Sequence, residues 1–299
     1  MEEKKKLSKQ TLLKALGLMG IRSVRGEDVT AFRAEEDGME YEVWRVETEG
    51  GPLVLKREKA NEIETYRAFF PEKKAYAPAF LGDTECDGER FFLLEYVEGE
   101  TLTRCTRERL VKALDALIEM QDEFWQREEY YDKGLTLARS AELVSRRGDY
   151  LEDERLEEAF ALFMRAYKNT PLTLCHDDLL PFNLLVGERA VLFDFEMGGM
   201  LPYPQSFARL IAHTEEREDA FFCMTREDYA FAIEYYYENL VKKHGVAYPD
   251  YRRTLDFFLF YEYCEWVMLG NRYDAKDDER YSRSLSLAKE CAERLLGKG

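Results

Sequence analysis

A loop and a strand end between residues 172 and 197 hold the side chains best suited to chemistry. The stretch reads L-T-L-C-H-D-D-L-L-P-F-N-L-L-V-G-E-R-A-V-L-F-D-F-E-M. Asp178 and Asn183 lie five residues apart in a Pro-containing loop between two apolar runs. A carboxylate there can accept or orient a hydroxyl proton, and an amide oxygen can bind a divalent cation; both suit phosphoryl transfer. Asp194 ends the run V-L-F-D, where its oxygens can take a hard cation. Lys56 ends another apolar run, V-L-K, and can pair with phosphates as a point charge. A glutamate on the following helical stretch would keep that lysine oriented. Glu62 and Glu64 compete for this role, and Glu62 is preferred because Tyr66 and Phe69 at i+4 and i+7 put it nearer the packed edge. His176 reads as a structural hydrogen-bonding residue, and Asp177 as a solvated or loop-capping one.

The elements that must position these groups fall into two sets. Residues 8–18 read as a short helix with Leu12, Leu13 and Leu16 on one face. Strand patterns follow at 29–33, 41–46 and 53–56, the first two joined by Glu-Asp-Gly at 36–38 and the next pair by Gly50-Gly51-Pro52. Ile63, Tyr66 and Phe70 mark a helix over 61–70 that Pro71 stops. Two more strands flank Asp87-Gly88. Beyond Gly99 the pattern becomes helical, with stripes Leu110–Trp125, Leu156–Tyr167, Ile233–Val241 and 282–296. Residues 255–269 are apolar nearly all round, as in a helix buried in a larger lobe. The polar stretch 134–153 reads as a loop or mobile connection. The fold class expected is α+β, with a lobe of residues 1–98 built on a small antiparallel sheet and a helical lobe of residues 99–299.

Composition narrows the partners. At 299 residues the chain is comfortable for two lobes, and 45% hydrophobic with 34% charged residues is a globular mixture. A net charge of −17 argues against nucleic acid or an anionic membrane surface, since both need a basic footprint. The six cysteines include no C-x-x-C pair and read as reduced packing residues of a cytoplasmic protein. The first ten residues are charged, with no signal-peptide core, and no apolar run is long enough to span a bilayer.

Taken together, the chain resembles the aminoglycoside phosphotransferase and choline kinase group, a branch of the protein-kinase-like fold. The group's loop H-G-D-x-x-x-x-N stands here as His176-Asp177-Asp178 and Asn183, and its metal-binding tetrapeptide as Phe193-Asp194-Phe195-Glu196. The strand lysine matches Lys56, and L-L-E-Y-V-E-G-E-T-L from Leu93 to Leu102 resembles the interlobe hinge. The resemblance implies a two-lobed kinase-like fold and in-line transfer of the γ-phosphoryl group of ATP, with GTP left open. Asp178 would be the catalytic acid–base group, with Asn183 and Asp194 binding magnesium. Lys56 would hold the phosphates, Glu62 or Glu64 would pair with it, and the main chain of Glu95 and Val97 would contact adenine. Three departures stand out. Asp177 replaces the usual glycine, the phosphate-covering hairpin 34–39 has only Gly38, and Gln205-Ser206-Phe207-Ala208 replaces a usual Asp-Leu-Ala.

The acceptor expected is a small molecule with a hydroxyl, such as an amino alcohol, an aminoglycoside or a sugar. It is open whether it carries a cation. Asp256, Glu262 and Glu265 lie on the apolar stretch 255–269, and the last two share a face at i, i+3. Charges in so apolar a helix need partners. They would either hold an ammonium group of the acceptor or pair with arginines such as Arg209. Aromatic residues are numerous, 19 Tyr, 19 Phe and 3 Trp; at helical spacing they read first as core, with a cage for a quaternary ammonium as the other use.

Overall fold

The computed structural model describes residues 7–33 and 38–297. The hairpin expected at 34–39 therefore lies largely outside the described residues.

The chain opens with α1 (Lys9–Leu18), capped by the Ser8 hydroxyl. It continues through β1 (Val29–Arg33), β2 (Glu40–Val46), β3 (Leu53–Arg57), α2 (Glu62–Phe69), β4 (Phe80–Cys86) and β5 (Glu89–Glu95). The five strands form one antiparallel sheet in the order β1-β2-β3-β5-β4. Strand alternation gives each face its own core. On β5, Phe91 and Leu93 pack with Leu12, Ala15 and Leu16 of α1. Phe92 and Leu94 point the other way, toward Ile63, Tyr66 and Phe69 of α2. The β4–β5 hairpin turns on Asp87 and Gly88, both at positive φ (56° and 80°), as a two-residue type I′ connection requires.

Helices dominate the rest. After β6 (Glu100–Thr101) come α3 (Arg107–Glu123), α4 (Leu137–Gly148) and α5 (Glu154–Asn169). The strands β7 (Leu172–Cys175), β8 (Leu184–Val186), β9 (Ala190–Leu192) and β10 (Gly199–Pro202) follow, then α6 (Pro204–Ala212), α7 (Arg226–Tyr236), α8 (Tyr248–Tyr273) and α9 (Glu279–Leu295). β7 pairs with β10, while β8 pairs with both β6 and β9. The stripe at 233–241 is α7 continued by one wider π turn, Tyr237–Val241.

One expectation fails here. The polar stretch 134–153 is not a loop: Thr136 caps α4, which buries Ser140, Ala141 and Val144. Its few buried positions gave a weak period, and its outer face is charged. Arg139 and Arg146 both pair with Glu142, at the i+3 and i+4 spacings that support a helix.

The core beneath α2 runs without a break into the helical lobe. Phe195 joins the two. Its ring lies 4.8 Å from Phe70, 5.9 Å from Tyr66 and 4.8 Å from His176. Burying a phenylalanine side chain stabilises by about 1.5–3 kcal/mol, so this contact ties α2 to the 176–183 loop. The linker between lobes approaches equally closely. A Cβ at Gly187, in the β8–β9 turn, would collide with the carbonyl of Glu98, so only glycine fits there.

Candidate active site

Lys56 reaches the site because β3 pairs on both sides. Its register partners are Val43 and Phe92, which hold the residue's backbone flat in the sheet and send its side chain to the α2 face. The ammonium lies 2.6 Å from Glu62 Oε2 and contacts Asp194 Oδ1, 138 positions away in sequence. Glu62 is fully buried at the start of α2. Glu64 instead faces outward to Arg67 and Arg90, so the lysine's partner is Glu62.

One cation between two acids divides the charge unequally. Burial would lower the Lys56 ammonium, but Glu62 and Asp194 together hold it above its ordinary value. Burial would likewise raise the Asp194 carboxyl, yet Lys56 beside it holds it below the usual range. Glu62 has the deeper position and must share its lysine, and burial pushes its carboxyl up to about 7.

Asp194 sits just past β9 with φ of 70°, a left-handed conformation rare for a residue with a side chain. The surrounding contacts impose it. The neighbouring Phe193 N–H donates to Asn183 O at 3.2 Å, and Phe193 O lies 2.6 Å from His176 Nε2. His176 is buried, burial lowers its pKa, and its ring ties the loop to the β9 end. It is structural, as its sequence context suggests.

The 176–183 loop connects β7 to β8. Asn183 Nδ2 donates to Asp178 O at 2.8 Å and lies 3.5 Å from Asp178 Oδ2. Asn183 closes the short helical turn Pro181–Asn183, directly before β8, and its amide oxygen is the end of the side chain not used in these contacts. The Asp178 side chain is 47% exposed and that of Asp194 is 36% exposed. The pair Lys56–Asp194 and the pair Asn183–Asp178 are thus joined through the backbone bond from Phe193 to Asn183. Hard oxygen donors from Asn183 and Asp194 fit a magnesium ion, which favours carboxylate and carbonyl ligands.

Asp177 corrects a sequence expectation. It is neither solvated nor a cap. It is partly buried, keeps no positive φ despite standing where a glycine is usual, and accepts a hydrogen bond from Gln205. Burial pushes its carboxyl up to about 6, against the pull of Arg147 and Arg209. Gln205 and Ser206, standing where Asp-Leu-Ala is usual, both bond to the 176–183 loop. Ser206 Oγ accepts from His176 N at 2.9 Å and donates to His176 O at 3.2 Å.

Glu95 ends β5, and Val97 lies in the connection that follows it. The Glu95 N–H donates to Ala79 O at 2.9 Å, and its side chain pairs with Lys73 and Arg189. Val97 follows β5 in irregular, partly exposed chain. Its N–H has no backbone partner among the described residues.

With this geometry in view, known proteins resemble the chain in both sequence and fold. Residues 32–240 match the phosphotransferase enzyme family (APH). The chain belongs to that family. Among solved structures, a choline/ethanolamine kinase family protein from Mesorhizobium loti superposes with a TM-score of 0.61 at 16% identity, over 95% of this chain and 92% of that one. A putative fructosamine-3-kinase from Haemophilus somnus 129PT superposes with a TM-score of 0.56 at 11% identity, over 94% and 98%. None of the curated protein sequences matches the chain. At these identities the superpositions establish the two-lobed α+β fold, and the family match establishes a kinase-type phosphotransferase. No helix among the described residues is long and apolar enough to cross a membrane.

Two features escaped the sequence. Arg147 lies in the stretch read as a loop, and its partner Glu265 is 118 positions away. Arg209 was legible only as a possible neighbour of Glu262 and Glu265; nothing in the sequence signalled its contact with Asp178, 31 positions back.

Proposed function

We propose that this phosphotransferase is a small-molecule kinase that uses ATP and magnesium to phosphorylate a hydroxyl group. The observation that carries the reading is the contact of Lys56 with Asp194, with Asn183 and Asp178 on the adjoining loop. In this reading Lys56 holds the nucleotide's phosphates, Glu62 orients Lys56, and the main chain of Glu95 and Val97 takes the base. Asn183 and Asp194 hold magnesium, which when bound neutralises phosphate charge. Asp178 faces the acceptor and receives its hydroxyl proton as the new O–P bond forms and ADP leaves. Positioning and charge supply most of the rate.

The acceptor class follows from the relatives as a starting point. A choline/ethanolamine kinase family protein and a putative fructosamine kinase share the fold. Amino alcohols, aminoglycosides and sugar amines therefore form the first panel. The test is ADP release from ATP or GTP with magnesium across that panel, for wild type and Asp178→Asn. Turnover that depends on magnesium and disappears in the variant supports the kinase. Nucleotide binding without turnover on any acceptor, or with water, supports a non-catalytic nucleotide-binding protein instead.

A further inference from the structure

A second charged cluster lies behind Asp178 and takes no part in the chemistry above. Arg209, on α6, is its centre, with a side chain only 14% exposed. Its Nε and Nη2 donate to Asp178 Oδ1 at 3.2 and 2.8 Å. Its Nη1 donates to Glu262 Oε2 at 2.9 Å and contacts Glu265 Oε2. The other oxygen of Glu265 accepts from Arg147 Nη1 at 2.7 Å, and Arg147 also donates to the Tyr261 hydroxyl at 2.8 Å. His213 Nε2 lies 3.2 Å from Glu262 Oε2.

Two consequences follow from these distances. His213, Glu262 and Glu265 bring ligand atoms within 4.8 Å of one another, close enough for a cation. Arg209 already contacts both carboxylates and Arg147 contacts Glu265 as well, so each acid has a cationic partner within the fold. In addition, Asp178 is held by one oxygen only. Oδ1 takes two N–H donors from a planar fork that stays charged at any working pH. Oδ2 has only the distant Asn183 amide and is the oxygen left to meet a hydroxyl. α6 reinforces this, because Ser206, Gln205 and Arg209 grip His176, Asp177 and Asp178 in turn.

We infer that Arg209 is a positioning residue for phosphoryl transfer. It pins one oxygen of Asp178 and aims the other at the acceptor. Glu262 and Glu265 serve to hold Arg209 and not to bind a cationic acceptor. This inference rests on the kinase reading above.

The test compares wild type, Arg209→Lys, and the charge-balanced pair Arg209→Gln with Glu262→Gln. Each is assayed for kcat, for KM of ATP and of the acceptor turned over in the panel, or for ATP hydrolysis where water is the acceptor. A loose supporting geometry costs up to about 100-fold in rate. The double variant should lose about that much in kcat, and Arg209→Lys about tenfold, since an ammonium lacks the fork. The KM for ATP should stay within about twofold, because the nucleotide side is untouched. A kcat within about twofold of wild type in both variants overturns the inference, as does an unchanged kcat with a large rise in KM for an ammonium-bearing acceptor. Wild type without Asp178-dependent turnover ends the kinase reading itself, which is a separate result. Should either variant fail to fold, judged by melting and MgATP affinity, Glu265→Gln removes a single anchor. A lowered kcat there supports the inference and an unchanged one overturns it.

Discussion

Lys56 and Arg209 each stand among carboxylates drawn from distant parts of the chain, but the two clusters are not equivalent. Lys56 is a compact point charge on a flexible stem, between a buried Glu62 and a half-open Asp194. One of its partners is open to solvent, so in the proposed kinase the lysine could exchange that partner for a phosphate without leaving its place. Arg209 is a rigid fork spread over Asp178, Glu262 and Glu265, and two of these acids are nearly closed off. It can exchange nothing without leaving buried charges unpaired. The difference shows how one fold separates two tasks. A lysine with an open neighbour suits binding and release, while an arginine with closed neighbours suits holding a geometry.

The sharpest way to break the comparison is Asp194→Asn. The open partner is the one proposed to meet magnesium, so kcat should fall about 1000-fold while the melting temperature barely moves. A rate near wild type would show that Lys56 and Asp194 form only a structural pair. Next, Arg209→Met should cost about 3–5 kcal/mol in urea unfolding, because it strands the buried Glu262 and leaves Glu265 with Arg147 alone. Lys56→Met should be gentler on stability, about 1–2 kcal/mol, since Glu62, already pushed up to about 7, can take a proton instead. Its main effect should be about 100-fold in kcat/KM for ATP. Equal stability losses at the two sites would remove the distinction drawn here.

The smallest effect concerns pH. The Asp177 carboxyl rises to about 6 in the fold from an ordinary 3.8. Between those values the folded protein holds more protons than the unfolded chain, so this group's contribution to stability declines as pH rises through that window. Asp177→Asn keeps an acceptor for Gln205 but cannot ionise. Its melting temperature should match wild type near pH 4 and exceed it above pH 6, by about 1 kcal/mol in stability, less than the full shift would give because solvent partly screens this half-buried group. A constant gap across that range would show that Asp177 does not titrate as described.

The groups proposed to handle the phosphates were legible because each belongs to a short local pattern. Lys56, Asp178, Asn183 and Asp194 all stand where an apolar strand run meets a polar break, and strand period alone places such residues at an edge. The choice of Glu62 over Glu64 rested on a face of α2 that its aromatic neighbours define. The helix over 137–148 was missed for the opposite reason, since its buried stripe is only Ser140, Ala141 and Val144. Asp177 was misjudged because its surroundings come from α6, 28 positions on.

Sequence alone determined the two-lobed order of elements and the identity of the four polar groups that could handle a phosphate. Periodicity and residue type act locally, so a reader of the chain can recover them. Only the tertiary structure decided which charges meet. It put Arg209 against Asp178 and gave Glu262 and Glu265 that same arginine as a partner. An ion pair depends on distance in space and on burial, and a linear chain specifies neither for groups far apart along it.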